Sequence, residues 1–211
     1  MIVAVPVINR PDLLVRFLDS VDEPCDLIVI DNSPDGAVLD AIAERDVQVV
    51  CPPSNLGVAA SWNLAIRSNP GEPFWIIANA DTELAPGDLR NLASEMQKGG
   101  PRWVGMNGDW RVFGISSEAV ELAGFFDENF HPIYCEDADY EYRCSLAGVP
   151  WYSIFGGATH AGSAAIRSDS RYGARNAATH PSNFAYYVAK WGGPLRGGEV
   201  FASPFDRGGH V

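Results

Sequence analysis

The chain has 211 residues, 46% hydrophobic and 20% charged, with 15 basic and 27 acidic side chains and a net charge of −12. This composition fits one folded domain over residues 1–211 and excludes a surface built as a whole to grip nucleic acid, which needs lysine and arginine against phosphate. No apolar run nears the ~18–20 residues that span a bilayer, no basic n-region opens the chain, and Cys25, Cys51, Cys135 and Cys144 form no C-x-x-C pair, so reduced thiols and a cytoplasmic location without anchor or signal peptide are expected.

Ile2–Ile8 is a β-branched run stopped by Asn9-Arg10-Pro11, and Asp12–Val21 then shows helical apolar spacing. The next strand, Leu27–Ile30, ends in the turn formers Asp31–Gly36, followed by a helix at 37–46. Val47–Val50 predicts a third strand, Ala59–Ile66 a helix after the loop CPPSNLG, and Phe74–Ala78 a fourth strand ending at Asn79-Ala80-Asp81. Continuous apolar strands alternating with amphipathic helices indicate an α/β fold with a mixed, mainly parallel sheet covered on both faces. The pattern loosens after Gly99-Gly100-Pro101, where a strand at 103–106 and helices at 116–123 and 137–147 are expected. The last ~45 residues read as loop, one helix around Asn183–Lys190 and a weakly structured end.

Charge is uneven along this plan. Residues 1–160 hold nine basic and 24 acidic side chains, net −15, whereas 161–211 hold six and three, net +3. A solvated acidic face with a basic tail explains this, and so do two halves of one site for a metal-bound anion.

In open parallel sheets ligands bind beyond the carboxyl ends of the strands, which here present Asn9, Asp31, Asn55 and Asn79-Ala80-Asp81. No G-x-G-x-x-G and no P-loop motif occurs, which removes the usual dinucleotide and P-loop fingerprints. Taken singly, each Asp or Asn reads as a cap or turn former.

Their joint order carries more. VPVINR, IVIDNSPDG, NLGVAASWN, IIANADTEL and GFFDENFHPIYCEDADYEYR resemble, over about residues 1–160, the inverting family 2 glycosyltransferases of the GT-A fold. The stretch Asn183–Gly193 resembles the closing helix of rhamnosyltransferase-like members, its aromatics reading as packing residues, as does Trp62. The resemblance implies a nucleotide-sugar-binding half at 1–100, an acceptor and catalytic half at 101–160, and a basic flexible flap with a C-terminal helix at 161–211. It implies a donor site at Pro6, Asn9, Arg10, Asp31, Asn55, Gly57, Asn63 and Asn79, to which the charge pattern of the tail adds Arg167 and Arg171. Asn79-Ala80-Asp81 stands where the family has Asp-x-Asp, leaving Asp81 as the expected ligand of Mn²⁺ or Mg²⁺, completed by His160.

Glu136, Asp137, Asp139 and Glu141 place four carboxylates within six residues. At a helix start they would suit the macrodipole; by resemblance Asp137 is the general base and Glu136 helps to position the acceptor. Asp139 and Arg143, four apart, read as a structural pair. Arg167, Arg171 and Arg175 form a stripe on a helix or a basic flap on a loop, able to fold over a diphosphate.

The expected reaction is transfer of a sugar from a UDP-, TDP- or GDP-linked donor to an acceptor hydroxyl with inversion. A nucleotidyltransferase, or a non-catalytic sugar-nucleotide or glycan-binding module, is the alternative. Nucleic acid enters only as a possible acceptor, at Arg167, Arg171, Arg175, Lys190 and Arg196.

Overall fold

The computed structural model describes residues 1–160, 162 and 170–206, with Ala37, Ser170 and Arg171 described by backbone alone. Elements follow in chain order: β1 Ile2–Val7, α1 Pro11–Ser20, β2 Asp26–Asp31, α2 Ala37–Ile42, β3 Gln48–Val50, α3 Val58–Ser68, β4 Phe74–Ala78, β5 Thr82–Glu83, α4 Asp88–Met96, β6 Trp103–Met106, β7 Val112–Ser116, α5 Ser117–Ala123, α6 Glu136–Leu146, β8 Trp151–Ile154, β9 Thr159–His160 and α7 Ser170–Trp191.

Seven strands form one sheet in the order β3-β2-β1-β4-β7-β6-β8. The first four in this order run parallel, β7 is antiparallel to both neighbours, and β6 pairs parallel with β8. This is the mixed, mainly parallel sheet expected of the GT-A fold.

Strand alternation sorts the apolar side chains into two layers. Ile2, Ala4, Ile28, Ile30, Trp75 and Ile77 pack with Ala59, Trp62, Ala65 and Ile66 of α3 on one face. Val3, Val5, Val29 and Ile76 pack with Leu14 and Phe17 of α1 and Leu89, Leu92 and Met96 of α4 on the other. A third cluster joins Phe130, Cys135 and Ala138 to Tyr187 and Trp191, seating the end of α7 against α6.

Four expectations need correction. The second helix stops at Ile42 rather than 46. Helix α4 and strand β7 were not anticipated, and α7 begins at Ser170 instead of near Asn183, so residues 170–182 are helical rather than flap, with Pro181 inside the helix. No helix among the described residues is long and apolar enough to cross a membrane.

Candidate active site

A cavity of about 1120 Å³ opens beyond the carboxyl ends of β1 and β4 and runs to β8, lined by Pro6, Arg10, Asn55, Gly57, Asn79, Asp81, Glu136, Asp137 and His160 from distant parts of the chain. Nine of the expected site residues thus face one volume.

Other expected residues do not. Asn63 is fully buried: its amide nitrogen donates to Phe126 O at 2.8 Å and Glu128 Oε1 at 2.7 Å, and its oxygen accepts from Phe126 N–H at 2.9 Å. Its side chain is consumed in pinning loop 126–128 to α3 and does not line the cavity. Asn9 and Asp31 meet at Ser33: the Asn9 backbone N–H donates to Ser33 Oγ at 2.8 Å, and Asp31 Oδ1 accepts from Ser33 N–H at 2.9 Å, while the buried Asn9 Oδ1 has no hydrogen-bond partner among the described residues. The wall beside them is Asn32, whose amide nitrogen donates to Ser61 Oγ and whose oxygen accepts from Leu56 N–H. Arg167 and the Arg171 side chain lie outside the described residues.

The acidic side begins where Tyr134 and Cys135 take left-handed backbone, φ 82° and 75°, to turn the chain into α6. Glu136 is 4% exposed, and its Oε2 has no hydrogen-bond partner among the described residues. Burial first, and the Asp137 charge second, push its carboxyl up to about 8. Asp137 meets Arg196 at 3.1 Å; one turn on, Glu141 accepts from Trp110 Nε1 at 2.7 Å and from Arg196 Nε at 3.1 Å. Asp139 takes the opposite direction, fully buried against Arg143 at 2.8 Å, the expected i,i+4 pair. One acidic segment therefore supplies both cavity groups and a structural anchor.

On the other side, His160 Nε2 and Asp81 Oδ1 lie 2.9 Å apart. The β5–β9 ladder, which opposes Thr82 to His160, brings Asp81 and His160 together from 79 positions apart. His160 Nδ1 accepts from Gly162 N–H at 3.0 Å, so Nε2 carries the hydrogen that Asp81 accepts, and an ion entering between them would displace that proton. No three His, Cys, Asp or Glu side chains converge among the described residues. A carboxylate and an imidazole, with the other positions left to phosphate oxygens and water, fit an ion carried in by a diphosphate rather than a pre-built protein cage. Arg10, held by Asp12 at 2.7 and 2.6 Å, also lines this region; that hydrogen bond raises its pKa, and the Asp81 charge adds to the shift.

Sequence reasoning did not assign Tyr172, Asn176, Arg196, Trp110 or Trp151 to the site, although all line the cavity. Asn176 is 6% exposed with neither amide atom hydrogen-bonded among the described residues. Of these, only Arg196 carried a signal, as part of the basic tail.

Comparison with known proteins gives the following. A family model described as Glycosyl transferase family 2 matches residues 2–145. Over 41 residues, 19% of this chain and 9% of the relative, the sequence is 44% identical to a galactofuranosyl glycosyltransferase of Leishmania donovani. The fold is similar to S. aureus TarS at TM-score 0.58 and 15% identity, covering 73% of this chain and 35% of TarS. It is similar to residues 1–349 of TarS in complex with UDP at TM-score 0.58 and 13% identity, covering 72% and 57%. The chain thus spans less than two thirds of each of these proteins, and at such identities the structural likeness is one of fold.

Proposed function

The chain belongs to glycosyl transferase family 2, and on that premise we propose that it moves a sugar from a nucleoside-diphosphate sugar to an acceptor hydroxyl with inversion. The observation that carries the proposal is that the Asp81–His160 pair and Asp137 line one shared cavity. The UDP bound to TarS makes a UDP-sugar the first donor to try, ahead of TDP- and GDP-linked ones.

In the proposed division, residues 1–100 bind the donor, 101–160 supply the base and acceptor side, and 161–211 the basic tail. Pro6, Asn32 and Asn55 border the nucleotide, with Asn9 and Asp31 shaping that wall through Ser33. Arg10 and Arg175, both at the cavity, meet the diphosphate charge, and Arg167 and Arg171 are assigned to the same task from their place in the sequence. Asp81 and His160 would hold a divalent cation, which when bound supplies Lewis-acid stabilisation to the departing diphosphate.

Asp137 takes the proton of the acceptor hydroxyl; the oxygen then bonds to the anomeric carbon from the face opposite the phosphate, and the anomeric carbon–phosphate oxygen bond breaks. One base and one displacement give inversion. Arg196, 3.1 Å from Asp137, orients that carboxylate in the cavity. Glu136, protonated at neutral pH, offers a hydrogen bond for positioning the acceptor.

The test is release of UDP from UDP-sugars in the presence of Mn²⁺, in wild type and Asp137→Asn. Loss of turnover by ~10²–10⁴ with retained UDP binding supports the base assignment. Retained turnover refutes it, and UDP binding without turnover in wild type favours the non-catalytic module.

A further inference from the structure

Four of the six tryptophans form a ladder on the α3 face of the sheet. Trp62 and Trp110 stack at 6.0 Å between centroids and 17° between planes, Trp110 and Trp103 at 4.2 Å and 21°, and Trp103 and Trp151 at 5.7 Å and 25°. The first three are buried, whereas Trp151, on edge strand β8, is 53% exposed where it lines the cavity. About half of the Trp151 indole is thus left open to the cavity. Stacked on Trp103, which the buried Trp110 backs in turn, it is an aromatic face with little freedom left to lose on binding.

Its place in the sheet separates it from the donor wall. Pro6 lies on β1 and Trp151 on β8, four strand spacings apart, or roughly 19 Å at ~4.8 Å each. Asp81 and the acids of α6 line the same cavity, so a donor held at β1 with its diphosphate at Asp81 leaves the β6–β8 end open. That end is rich in carboxylates: Asp109, Asp137 and Glu141. Arg196 lines it too, paired to Asp137 and Glu141, whereas Arg111, paired to Asp109, lies on the Asp81 side, where its carbonyl accepts from Asn79 N–H at 2.8 Å. Carboxylates repel phosphate and are good acceptors for hydroxyl hydrogens. The rigid indole suits the C–H face of a sugar ring.

We propose that Trp151 is the stacking platform of an acceptor subsite for a neutral saccharide, with Glu141 accepting hydrogen bonds from its hydroxyls. This rests on the glycosyltransferase reading above. The experiment applies wild type, Trp151→Ala and Trp151→Phe to a printed array of neutral and phosphorylated oligosaccharides in the presence of UDP, with UDP affinity measured separately. The expected result is wild-type binding to neutral saccharides, at least tenfold weaker in Trp151→Ala, largely restored in Trp151→Phe, with UDP affinity within twofold throughout. Equal binding by wild type and Trp151→Ala, binding confined to phosphorylated saccharides, or UDP binding with no saccharide bound overturns the platform. Binding of neither UDP nor saccharide overturns the glycosyltransferase reading itself.

Discussion

Lys190 Nζ lies 2.6 Å from Asp139 Oδ1, with side-chain exposures of 6% and 0%. The same ammonium sits 2.6 Å from Asp127 Oδ2, while Arg143 and Trp191 Nε1 complete the shell of Asp139 at 2.8 Å each. This network ties α7 to the helix that carries Asp137. Replacing Lys190 by Met strips two largely buried carboxylates of a cation, and breaking a buried pair in this way costs about 3–5 kcal/mol. Urea unfolding of Lys190→Met should show that loss, partly recovered in the double variant with Asp139→Asn. A loss below ~1 kcal/mol would mean that Arg143 and Trp191 suffice for Asp139.

Glu136 makes stability depend on pH in a defined sense. Its folded pKa is about 8 against an ordinary 4.5, so between these values the folded protein holds a proton that the unfolded chain has lost. Stability from this group therefore falls as pH rises through that window, by at most about 1.4 kcal/mol per unit, and levels off above it. Glu136→Gln removes the dependence. Denaturant curves at pH 5, 6.5 and 8 should show the variant gaining on wild type as pH rises; a constant difference would show that Glu136 is ionised in the folded protein.

The donor half of the fold was legible because both of its signals are local. Val3 and Val5 on one face and Ile2 and Ala4 on the other make a strand buried on both sides, and the turn formers that follow Asp31 end β2. Strand β7 escaped because Gly114 interrupts its apolar run. The reason for that glycine is tertiary: an added Cβ would lie 2.5 Å from Met96 Sδ. The missed signal for α4 is the helical spacing of Leu89, Leu92, Ala93 and Met96. Early α7 is rich in small polar residues and contains Pro181, and its position is set by contacts such as the bond from Asn183 Nδ2 to Ile133 O at 2.9 Å. Asn63 and the tryptophan ladder show the same limit for the site. A buried amide and a ligand-facing one have the same spelling, and the ladder draws on residues 62, 103, 110 and 151, which only the folded sheet brings together.

Gly57 controls the approach to the acidic helix. Its φ is +78°, a Cβ would fall 2.7 Å from Pro132 O and 2.9 Å from the His131 ring, and the next residue, Val58, donates its N–H to Pro132 O at 2.8 Å. Gly57→Ala must push away the loop that leads through Tyr134 and Cys135 into Glu136. We expect about 1–3 kcal/mol from overpacking, on top of a backbone cost above the left-handed one, because φ 78° with ψ 178° is essentially a glycine-only conformation. Gly36→Ala is the comparison: at φ 71° and ψ 4° with nothing within 4 Å of its Cβ, it bears only the left-handed cost of about 1–2 kcal/mol. Thermal melts that rank the two variants equally would show that the 131–132 loop yields freely.

The Asp81–His160 pair yields a prediction that separates ion from scaffold. In the proposed role, two protein ligands leave most of the ion's shell to the diphosphate, so ion and nucleotide should bind together. UDP should raise the melting temperature more with Mn²⁺ than with EDTA, in proportion to the logarithm of its occupancy. Asp81→Asn should erase that difference while leaving the EDTA baseline in place, because its loss removes charge without removing the β5–β9 pairing that seats His160. Asn79→Asp works in the opposite direction: a second carboxylate at the cavity wall should shift the Mn²⁺ titration to severalfold lower concentration. Equal UDP stabilisation with Mn²⁺ and EDTA in wild type would assign the nucleotide charge to Arg10 and Arg175 instead, with Asp81 and His160 left as a hydrogen-bonded brace between β5 and β9.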